Sequence, residues 1–186
     1  LTEGKPSLDE ISVVENGDKN QILKLAAALN QNSEHPLSSA VLNEFKKENN
    51  EFYKVENFEN ISGKGIKGMI NGTTVLLGNE ALLNQFNITV PEILKNEVIR
   101  KQDEAKTVSY LAFGDQVLGS LNFSDKIKTS SKLAIEYLQK KNVDVIMMTG
   151  DNEHTAKAVA TELGIQHYKA NCLPEDKMNE IKKLQS

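Results

Sequence analysis

The segment from Val143 to Gly164 constrains the fold most, because a strand-like run leads directly into a helix-like one. Residues 143–148 are apolar at every position but Asp144, as in a strand that is covered on both faces of a sheet. From Ala156 to Leu163 the apolar residues recur with helical spacing, and Gly164 suits the end of that helix. Helices alternate with strands from residue 125 onward. This order predicts a parallel sheet wound with helices, as in a Rossmann-like domain.

An anion site is indicated where that strand ends. Thr149, Gly150 and Asp151 stand between the strand and the helix, so a hydroxyl and free backbone N–H groups face a helix N-terminus. Such a position attracts phosphate. The tripeptide equally fits an ordinary turn in which Asp151 or Asn152 caps the helix, and the tripeptide alone does not choose between the two.

The first two thirds of the chain show a different pattern. Helical spacing appears from Ile22 to Leu29 and again after Pro36, which suits the first turn of a helix. Asn71-Gly72 lies between two β-like runs and is the strongest hairpin signal, and Gly114-Asp115 marks a second hairpin. A charged helix is predicted from Pro91 to about Lys106. Together these signals predict an α+β unit, with helices packed on an antiparallel sheet.

We therefore expect two domains in this chain. Residues 1–16 and 120–186 are predicted to form a discontinuous, truncated α/β domain whose first strand lies before Leu1. Residues 17–119 are predicted to form an α+β domain that is inserted into it.

Composition narrows the function further. The net charge is −4 and no basic stripe appears, so we expect no nucleic-acid partner. Cys172 is the only cysteine, which excludes an internal disulfide. With only His167 at ligand spacing, we interpret Cys172 as a small half-buried side chain and predict no metal site. Nothing resembles a membrane span or a signal peptide, so the chain by itself is expected to be soluble, and to be a monomer.

Short motifs occur in a fixed order along nearly the whole chain. They are LTEGKP at the start, SEHPL at 33–37, GKG at 63–65, GN at 78–79, SDK at 124–126, MMTGDN at 147–152 and LPEDK at 173–177. In this order the sequence resembles the cytoplasmic ATP-hydrolysing part of a heavy-metal-transporting P-type ATPase, most similar to the exporters of Cu⁺ or Ag⁺. The resemblance implies a truncated phosphorylation domain of the haloacid-dehalogenase type with an inserted nucleotide-binding domain.

The resemblance implies a phosphoryl-transfer site in the α/β domain. Thr149 is expected to donate its hydroxyl to the transferred phosphoryl oxygens, and Gly150 lets the backbone come close. Asp151 is expected to orient lysine and nucleotide rather than to attack. Lys177, in LPEDK, is expected to neutralise charge between an aspartyl-phosphate and the γ-phosphate, since the transition state spreads negative charge over several oxygens. Asp125 corresponds to the hinge between the two domains.

The resemblance also implies an ATP or ADP site in the inserted domain. His35 corresponds to a histidine that contacts adenine, with Glu34 beside it. An imidazole can stack on a purine and hydrogen-bond its edge. Gly63, Gly65 and Gly78 correspond to glycines that let the nucleotide approach the backbone.

Three elements of the family pattern are changed or missing. Asn30 stands where the family usually carries a glutamate that binds adenine; an amide can still accept and donate, so we expect adenine recognition of altered strength. The phosphorylated aspartate opens D-K-T-G-T-L-T and is expected five residues before Leu1. The G-D-G-x-N-D segment that holds Mg²⁺ is expected after Ser186. We therefore predict that this chain binds ATP or ADP but neither autophosphorylates nor hydrolyses.

The implied cofactors are ATP and Mg²⁺, with most Mg²⁺ ligands outside these residues. The implied partner is the rest of the same pump, its membrane and actuator domains, and the implied location is the cytoplasmic side of an integral membrane protein. Two other functions stay open: a soluble phosphatase of the haloacid-dehalogenase type, which has no reason to carry SEHPL with GKG, and a nucleotide-sensing module without a transport role. Singly, His35 also fits a helix-entry turn and Lys177 a solvated lysine.

Overall fold

The computed structural model describes residues 1–15, 17–47 and 51–185, in two consecutive groups of elements. Within these residues, the first group, the sheet unit, comprises β1 (Ser7–Val13), α1 (Lys19–Asn30), α2 (Pro36–Lys46), β2 (Glu56–Ile61), β3 (Gly65–Ile70), β4 (Thr73–Gly78), α3 (Glu80–Gln85), α4 (Glu92–Asp103), β5 (Thr107–Phe113) and β6 (Gln116–Ser124). The second group, the C-terminal unit, comprises α5 (Thr129–Lys140), β7 (Ile146–Met148), α6 (Glu153–Leu163), β8 (His167–Lys169) and α7 (Pro174–Gln185).

The strands of the sheet unit form one antiparallel sheet in the order β1-β6-β5-β4-β3-β2. The two predicted hairpins are confirmed as β3–β4 and β5–β6. Asn71 and Gly72 connect the first hairpin with φ values of 50° and 78°. This is the left-handed backbone that a two-residue hairpin turn requires. Pro36 opens α2, as its position in the sequence predicted.

Helices cover both faces of this sheet. On one face, α1 and α2 enclose a core whose most deeply buried members include Ile22, Leu29, Val41, Phe45, Leu121 and Phe123. On the other face, α3 and α4 enclose a second core that includes Leu76, Leu82, Leu83, Leu94 and Val98. Because full burial of one such side chain is worth about 1.5–3 kcal/mol, the two cores make the sheet unit the better stabilised part.

Polar contacts also fasten α4 to the sheet. Glu97 accepts a hydrogen bond of 2.6 Å from Ser12 Oγ, which itself accepts one of 3.1 Å from Asn122 Nδ2. Lys101 pairs with Glu10 at 2.7 Å, and this hydrogen bond lowers the pKa of Glu10 and raises that of Lys101. Ser12 and Asn122 are buried, where an unmade hydrogen bond is costly, so α4 is fixed to β1 and β6.

The C-terminal unit is less completely packed. β7 and β8 pair in parallel, and a small core joins them to α5 and α6 through Ile135, Met147, Ala156, Ala160, Leu163 and Ile165. The described residues of α7 include none that is buried. Several large apolar side chains are exposed on α5, β7 and α7, among them Leu133, Tyr137, Ile146, Met178, Ile181 and Leu184. None of the described helices combines the length and the apolarity needed to cross a bilayer.

The strand predicted over residues 143–148 is shorter in the structure. Only Ile146–Met148 pair with β8, and Val143 is 46% exposed. β8 borders one edge of β7, and no strand within the described residues borders the other edge. Residues 143–145 therefore have no ladder to join, although the alternation of helix and strand around them is confirmed.

The pairing of β1 with β6 affects the position of the boundaries between the two predicted domains. β1 pairs with β6 from Ser7 to Val13, so both strands belong wholly to the sheet unit. The predicted boundary at residue 16 separates β1 from the rest of its sheet, and the predicted boundary at residue 120 cuts through β6. Asn16 itself lies outside the described residues. The division into a discontinuous domain and an inserted one stays a proposal, with crossing points now nearer Pro6 and Asp125.

Candidate functional site

Backbone hydrogen bonds join the loop after β7 to the loop after β8. Thr149 N–H donates to the Lys169 carbonyl at 3.0 Å, and Cys172 N–H donates to the Thr149 carbonyl at 2.9 Å. Asn171 N–H donates to the Asp151 carbonyl at 2.7 Å. Because β7 and β8 are parallel, both loops leave the sheet at the carboxyl ends of the strands. Folds of this kind bind ligands there. The T-G-D tripeptide is thus held at a strand's carboxyl end.

The side chains of this loop are bonded to one another. Thr149 Oγ1 donates to Asp151 Oδ2 at 2.6 Å, and Asp151 N–H donates to Thr149 Oγ1 at 3.2 Å. Asn152 caps α6, because its Oδ1 accepts from Thr155 N–H at 3.1 Å. Of the two candidate caps, the structure therefore selects Asn152 and leaves Asp151 to hold the threonine hydroxyl.

Gly150 is exposed between these two side chains. A Cβ placed on it would meet the Cys172 carbonyl oxygen at 3.5 Å, an ordinary van der Waals distance. The loop therefore does not need a glycine at this position for its own packing.

Lys177 lies in the first turns of α7, which follows directly from the loop that bonds to Thr149. Asp176 Oδ2 accepts from Leu173 N–H at 2.8 Å and so helps to begin this helix. The Lys177 side chain is half-buried and has no hydrogen-bond or ion-pair partner within the described part of the chain. The Lys177 ammonium group is therefore left available for an anion.

A cavity of about 520 Å³ opens beside β8. Tyr168, Asn171, Cys172 and Asp176 contribute to its lining, while Thr149, Gly150 and Lys177 are not among the described residues that line it. Its walls carry their own pairs: Tyr168 Oη donates to Glu153 at 2.7 Å, and this bond raises the pKa of Tyr168. The T-G-D loop is thus an exposed edge site and not the wall of this cavity.

Asp125 lies where the chain passes from the sheet unit to the C-terminal unit. Its Oδ1 accepts a 3.3 Å hydrogen bond from Lys5 N–H. Thr2 bridges Ile127, and Lys128 N–H donates to the Leu1 carbonyl at 3.0 Å. The segment before β1 and the segment that leads from β6 to α5 therefore run antiparallel, and Asp125 contacts the first of them.

His35 is the N-cap of α2. Its Nδ1 accepts a 3.2 Å hydrogen bond from Leu37 N–H, which leaves Nε2 without a partner among the described residues. The ring remains exposed, yet the surrounding protein desolvates it enough to lower its pKa. Both the helix-entry role and a ligand role fit this geometry, because a neutral ring that is fixed at Nδ1 still presents its face and Nε2.

Asn30 ends α1, which crosses the sheet. Ile22 packs over Gly119 in β6, and Leu29 packs over Gly68 in β3, so the turn that carries Glu34 and His35 lies toward the β2–β3 edge. Asn30 itself is 4% exposed, and its Nδ2 donates to the Ala26 carbonyl at 2.8 Å. Its side chain is therefore turned into its own helix, with the amide oxygen left for other contacts.

The three predicted glycines serve two different purposes. Gly65 and Gly78 face each other across β3 and β4, and a Cβ on either would overlap with backbone of the opposite strand. Gly63 has a φ of 71° and open space around it, so it serves the turn before β3. The close approach of two strands thus explains Gly65 and Gly78, while Gly63 leaves room for a ligand beside the backbone.

Asn79 fixes this loop and was missed as a site residue. Its Nδ2 donates to the Gly63 carbonyl at 2.9 Å, and its N–H donates to the Lys64 carbonyl at 2.9 Å. Its Oδ1 caps α3 by accepting from Leu82 N–H. The G-N pair was visible in the sequence, but its partners lie 15 and 16 residues earlier, beyond the reach of local patterns. The side chain of Lys64, in the same loop, donates from Nζ to Gln85 Oε1 at 2.7 Å.

The described residues do not form a metal centre. They contain no group of three or more His, Cys, Asp or Glu side chains that could hold an ion. Near the T-G-D loop, Asp151 supplies one carboxylate, and that carboxylate already accepts from Thr149. These residues therefore do not fit Mg²⁺ by themselves.

Known proteins resemble this chain over its whole length. A sequence model of the haloacid dehalogenase-like hydrolases matches residues 1–186. The chain is 39% identical over its whole length to a copper-transporting P-type ATPase of Rhizobium leguminosarum bv. viciae, and 38% identical to a copper-exporting P-type ATPase of Staphylococcus haemolyticus (strain JCSC1435). It spans 22% of the length of each.

A solved structure extends the match to the fold. The catalytic domain of the CPx-ATPase CopB-B, described with conformational changes upon nucleotide binding, superposes with a TM-score of 0.73 at 26% identity. The match covers 100% of this chain and 62% of that one. It confirms the predicted fold class, a mixed α/β fold in which helices accompany an antiparallel sheet. The chain therefore belongs to the haloacid dehalogenase-like hydrolases, and throughout its length it resembles the catalytic domain of heavy-metal P-type ATPases.

Proposed function

We propose that this chain is the nucleotide-binding and phosphorylation region of an ATP-driven copper pump. In this proposal ATP or ADP binds the sheet unit beside His35, and the γ-phosphoryl group passes to an aspartate outside the 186 residues. Copper is the cargo, and the named activities of the relatives support this choice. The remaining partners are the membrane and actuator domains of the same pump, with this region on the cytoplasmic side.

The observation that carries the proposal is the T-G-D loop. A threonine hydroxyl and an acidic side chain are fixed at the carboxyl end of β7, and Lys177 follows from the loop that bonds to Thr149. Phosphoryl transfer needs little covalent chemistry from the protein, but it needs donors and positive charge placed where negative charge develops. The hydroxyl of Thr149 is such a donor, and the ammonium group of Lys177 supplies the positive charge.

Thr149, Asp151 and Lys177 then have distinct tasks. Thr149 turns its hydroxyl from Asp151 to a phosphoryl oxygen, while Asp151 continues to orient the loop. Lys177 stabilises charge on the transferred group through its ammonium. Mg²⁺ supplies further charge neutralisation in such reactions, but the residues present do not fit the ion by themselves.

The sheet unit recognises the base. His35 is held by Leu37 N–H, so the neutral ring can stack on adenine and use Nε2 toward the base edge. Asn30 contributes through its free amide oxygen. Glu34 lies exposed beside the ring. Gly63 lets the nucleotide approach the turn that Asn79 holds, and Gly65 and Gly78 keep the two strands close enough to shape that turn.

Equilibrium dialysis with radiolabelled ATP tests the base site. Few charged groups face the nucleotide in the sheet unit, so we expect a dissociation constant of about 0.1 to 1 mM. His35→Ala is expected to weaken binding about tenfold, the equivalent of one aromatic contact. His167→Ala is the matched control, because His167 is an exposed histidine in the C-terminal unit. If His35→Ala and the wild type bind ATP equally well, the assignment of His35 to the nucleotide site is wrong.

A second assay separates binding from catalysis. Because the 186 residues contain no D-K-T-G-T motif, incubation with γ-labelled ATP is expected to leave no acid-stable label. Acid-stable incorporation would show that a residue of this chain accepts the phosphoryl group, and the assignment of the acceptor to another segment would be wrong.

A further inference from the structure

Helix α6, which begins just after the T-G-D loop, packs on α4 of the sheet unit. Two polar contacts join them. His154 Nδ1 lies 2.7 Å from Asp103 Oδ1, and Thr155 Oγ1 donates to the Lys106 carbonyl at 3.0 Å. These four residues are called the α4–α6 latch below.

The latch is connected directly to the T-G-D loop. Thr155 is 3% exposed, and its hydroxyl also accepts a 3.0 Å hydrogen bond from Asn152 Nδ2. Asn152 is the cap of α6 and follows Asp151 in the chain. A displacement of α6 from α4 therefore breaks a buried hydrogen bond of the residue that supports the loop.

The latch is also anchored on the other side. Asp103 is the last residue of α4, and Lys106 lies between α4 and β5. Glu97 and Lys101 fasten α4 to β1 and β6. α4 covers the face of the sheet opposite to α1 and α2. Asn30 and His35, the residues proposed to bind adenine, lie on the face that α1 and α2 cover.

We propose that the α4–α6 latch is a conformational lock between the two units. While it is closed, it holds the T-G-D loop beside α4. It opens when the loop turns about the Asp125 crossing toward a nucleotide on the α1–α2 side. The lock itself follows from the contacts, whereas its release by nucleotide rests on the proposed function.

The contacts suit a lock that opens reversibly. The His154 and Asp103 side chains are 47% and 57% exposed, so solvent screens their interaction. Exposed pairs of this kind shift an equilibrium by about two- to fivefold when one partner is removed. The buried Thr155 hydroxyl makes the closed state geometrically specific, because it donates to the Lys106 carbonyl.

Distance distributions between two spin labels measure the lock. Cysteines replacing the exposed Ser39 in α2 and Ser130 in α5, in a Cys172→Ala background, place one label on each unit. Without nucleotide, Asp103→Ala, His154→Ala and Thr155→Val are each expected to raise the open population about two- to fivefold. Asp103→Ala with His154→Ala is expected to add little beyond either change, because both remove one pair.

Matched controls keep the result specific. Asp115→Ala, His167→Ala and Thr161→Val alter the same residue types at exposed positions outside the latch, and they are expected to leave the distribution as in wild type. If Thr155→Val unfolds α6, Asp103→Ala still tests the lock from the other unit. Distributions that match wild type in both Asp103→Ala and His154→Ala would overturn the proposal.

Adding ATP tests the lock and the proposed function separately. ATP at saturating concentration is expected to shift the wild-type chain toward the open population. If the variants open the chain but ATP neither binds nor shifts it, the lock stands and the proposed function fails. If ATP binds and the open population stays unchanged, release by nucleotide is wrong.

Discussion

The two units of this chain solve the problem of burying apolar surface differently. The sheet unit places helices on both faces of one sheet and so encloses two cores. The C-terminal unit has a two-stranded sheet, one small core and helices that keep large apolar side chains in solvent. We expect a unit of the first kind to fold by itself. A unit of the second kind suits a larger sheet, which accords with the proposal that it is part of a discontinuous domain.

Matched core truncations test this difference and have the largest expected effect. Leu121 and Leu163 are 0% and 2% exposed, one in each unit. Leu121→Ala is expected to lower the unfolding free energy of the sheet unit by about 2–5 kcal/mol, because two packed layers cannot close the cavity. Leu163→Ala is expected near the lower end of that range, since the open surroundings can relax.

Hydrogen exchange of amides in β6 and α6 reads the two units separately. Exchange in β6 is expected to be slowest in wild type and to accelerate in Leu121→Ala alone. Equal protection of the two units in wild type would contradict the contrast between them.

The glycines of the two proposed sites give a second, smaller contrast. Gly78→Ala forces a Cβ against the Lys64 carbonyl and is expected to cost about 1–3 kcal/mol. Gly150→Ala meets only an ordinary contact with Cys172 and is expected to leave stability nearly unchanged. Urea unfolding of both variants checks this. A destabilisation by Gly150→Ala as large as that by Gly78→Ala would mean that Gly150 has a packing role.

A pH titration of His35 has the smallest expected effect. Desolvation by the surrounding protein lowers its pKa in the folded chain below the ordinary value of 6.5, so the unfolded chain binds the proton more readily. The unfolding free energy is therefore expected to be constant above pH 6.5 and to fall as the pH drops through the folded-state pKa. Protonation of Nδ1 also removes the acceptor for Leu37 N–H.

His35→Asn is the matched variant for this titration, because an asparagine caps a helix without titrating. Its unfolding free energy is expected to lose this part of the pH dependence and to keep the cap. NMR signals of the ring, followed with pH in the wild type, give the pKa directly. A value above 6.5 would contradict the desolvation of His35.

Local signals predicted some parts of this molecule well. The turns at Asn71-Gly72 and Gly114-Asp115 and the start of α2 at Pro36 depend on the backbone preferences of neighbouring residues, and those are visible in sequence. The pairing of β1 with β6 is different, since Ser7 and Ser124 meet only after folding. No periodicity in a seven-residue strand reveals which sheet it joins.

The same limit applies to the candidate sites. The T-G-D loop could be placed at a strand end because strand, loop and helix follow one another in the chain. The bracing of that loop by Cys172, the clamp of Asn79 on Gly63 and the His154–Asp103 contact all join residues far apart in sequence. Residue types suggested the chemistry of these sites, and tertiary contacts determine how they are held.

An amide shift map of the 186-residue chain during an ATP titration shows whether the nucleotide binds the sheet unit. We expect the largest shifts in the sheet unit, at Glu34, His35, Gly63, Gly65 and Gly78. Smaller shifts are expected at α4 and α6 as the latch opens. Shifts that are confined to the Thr149–Asp151 loop and Lys177, or no shifts at millimolar ATP, would contradict a nucleotide site in the sheet unit.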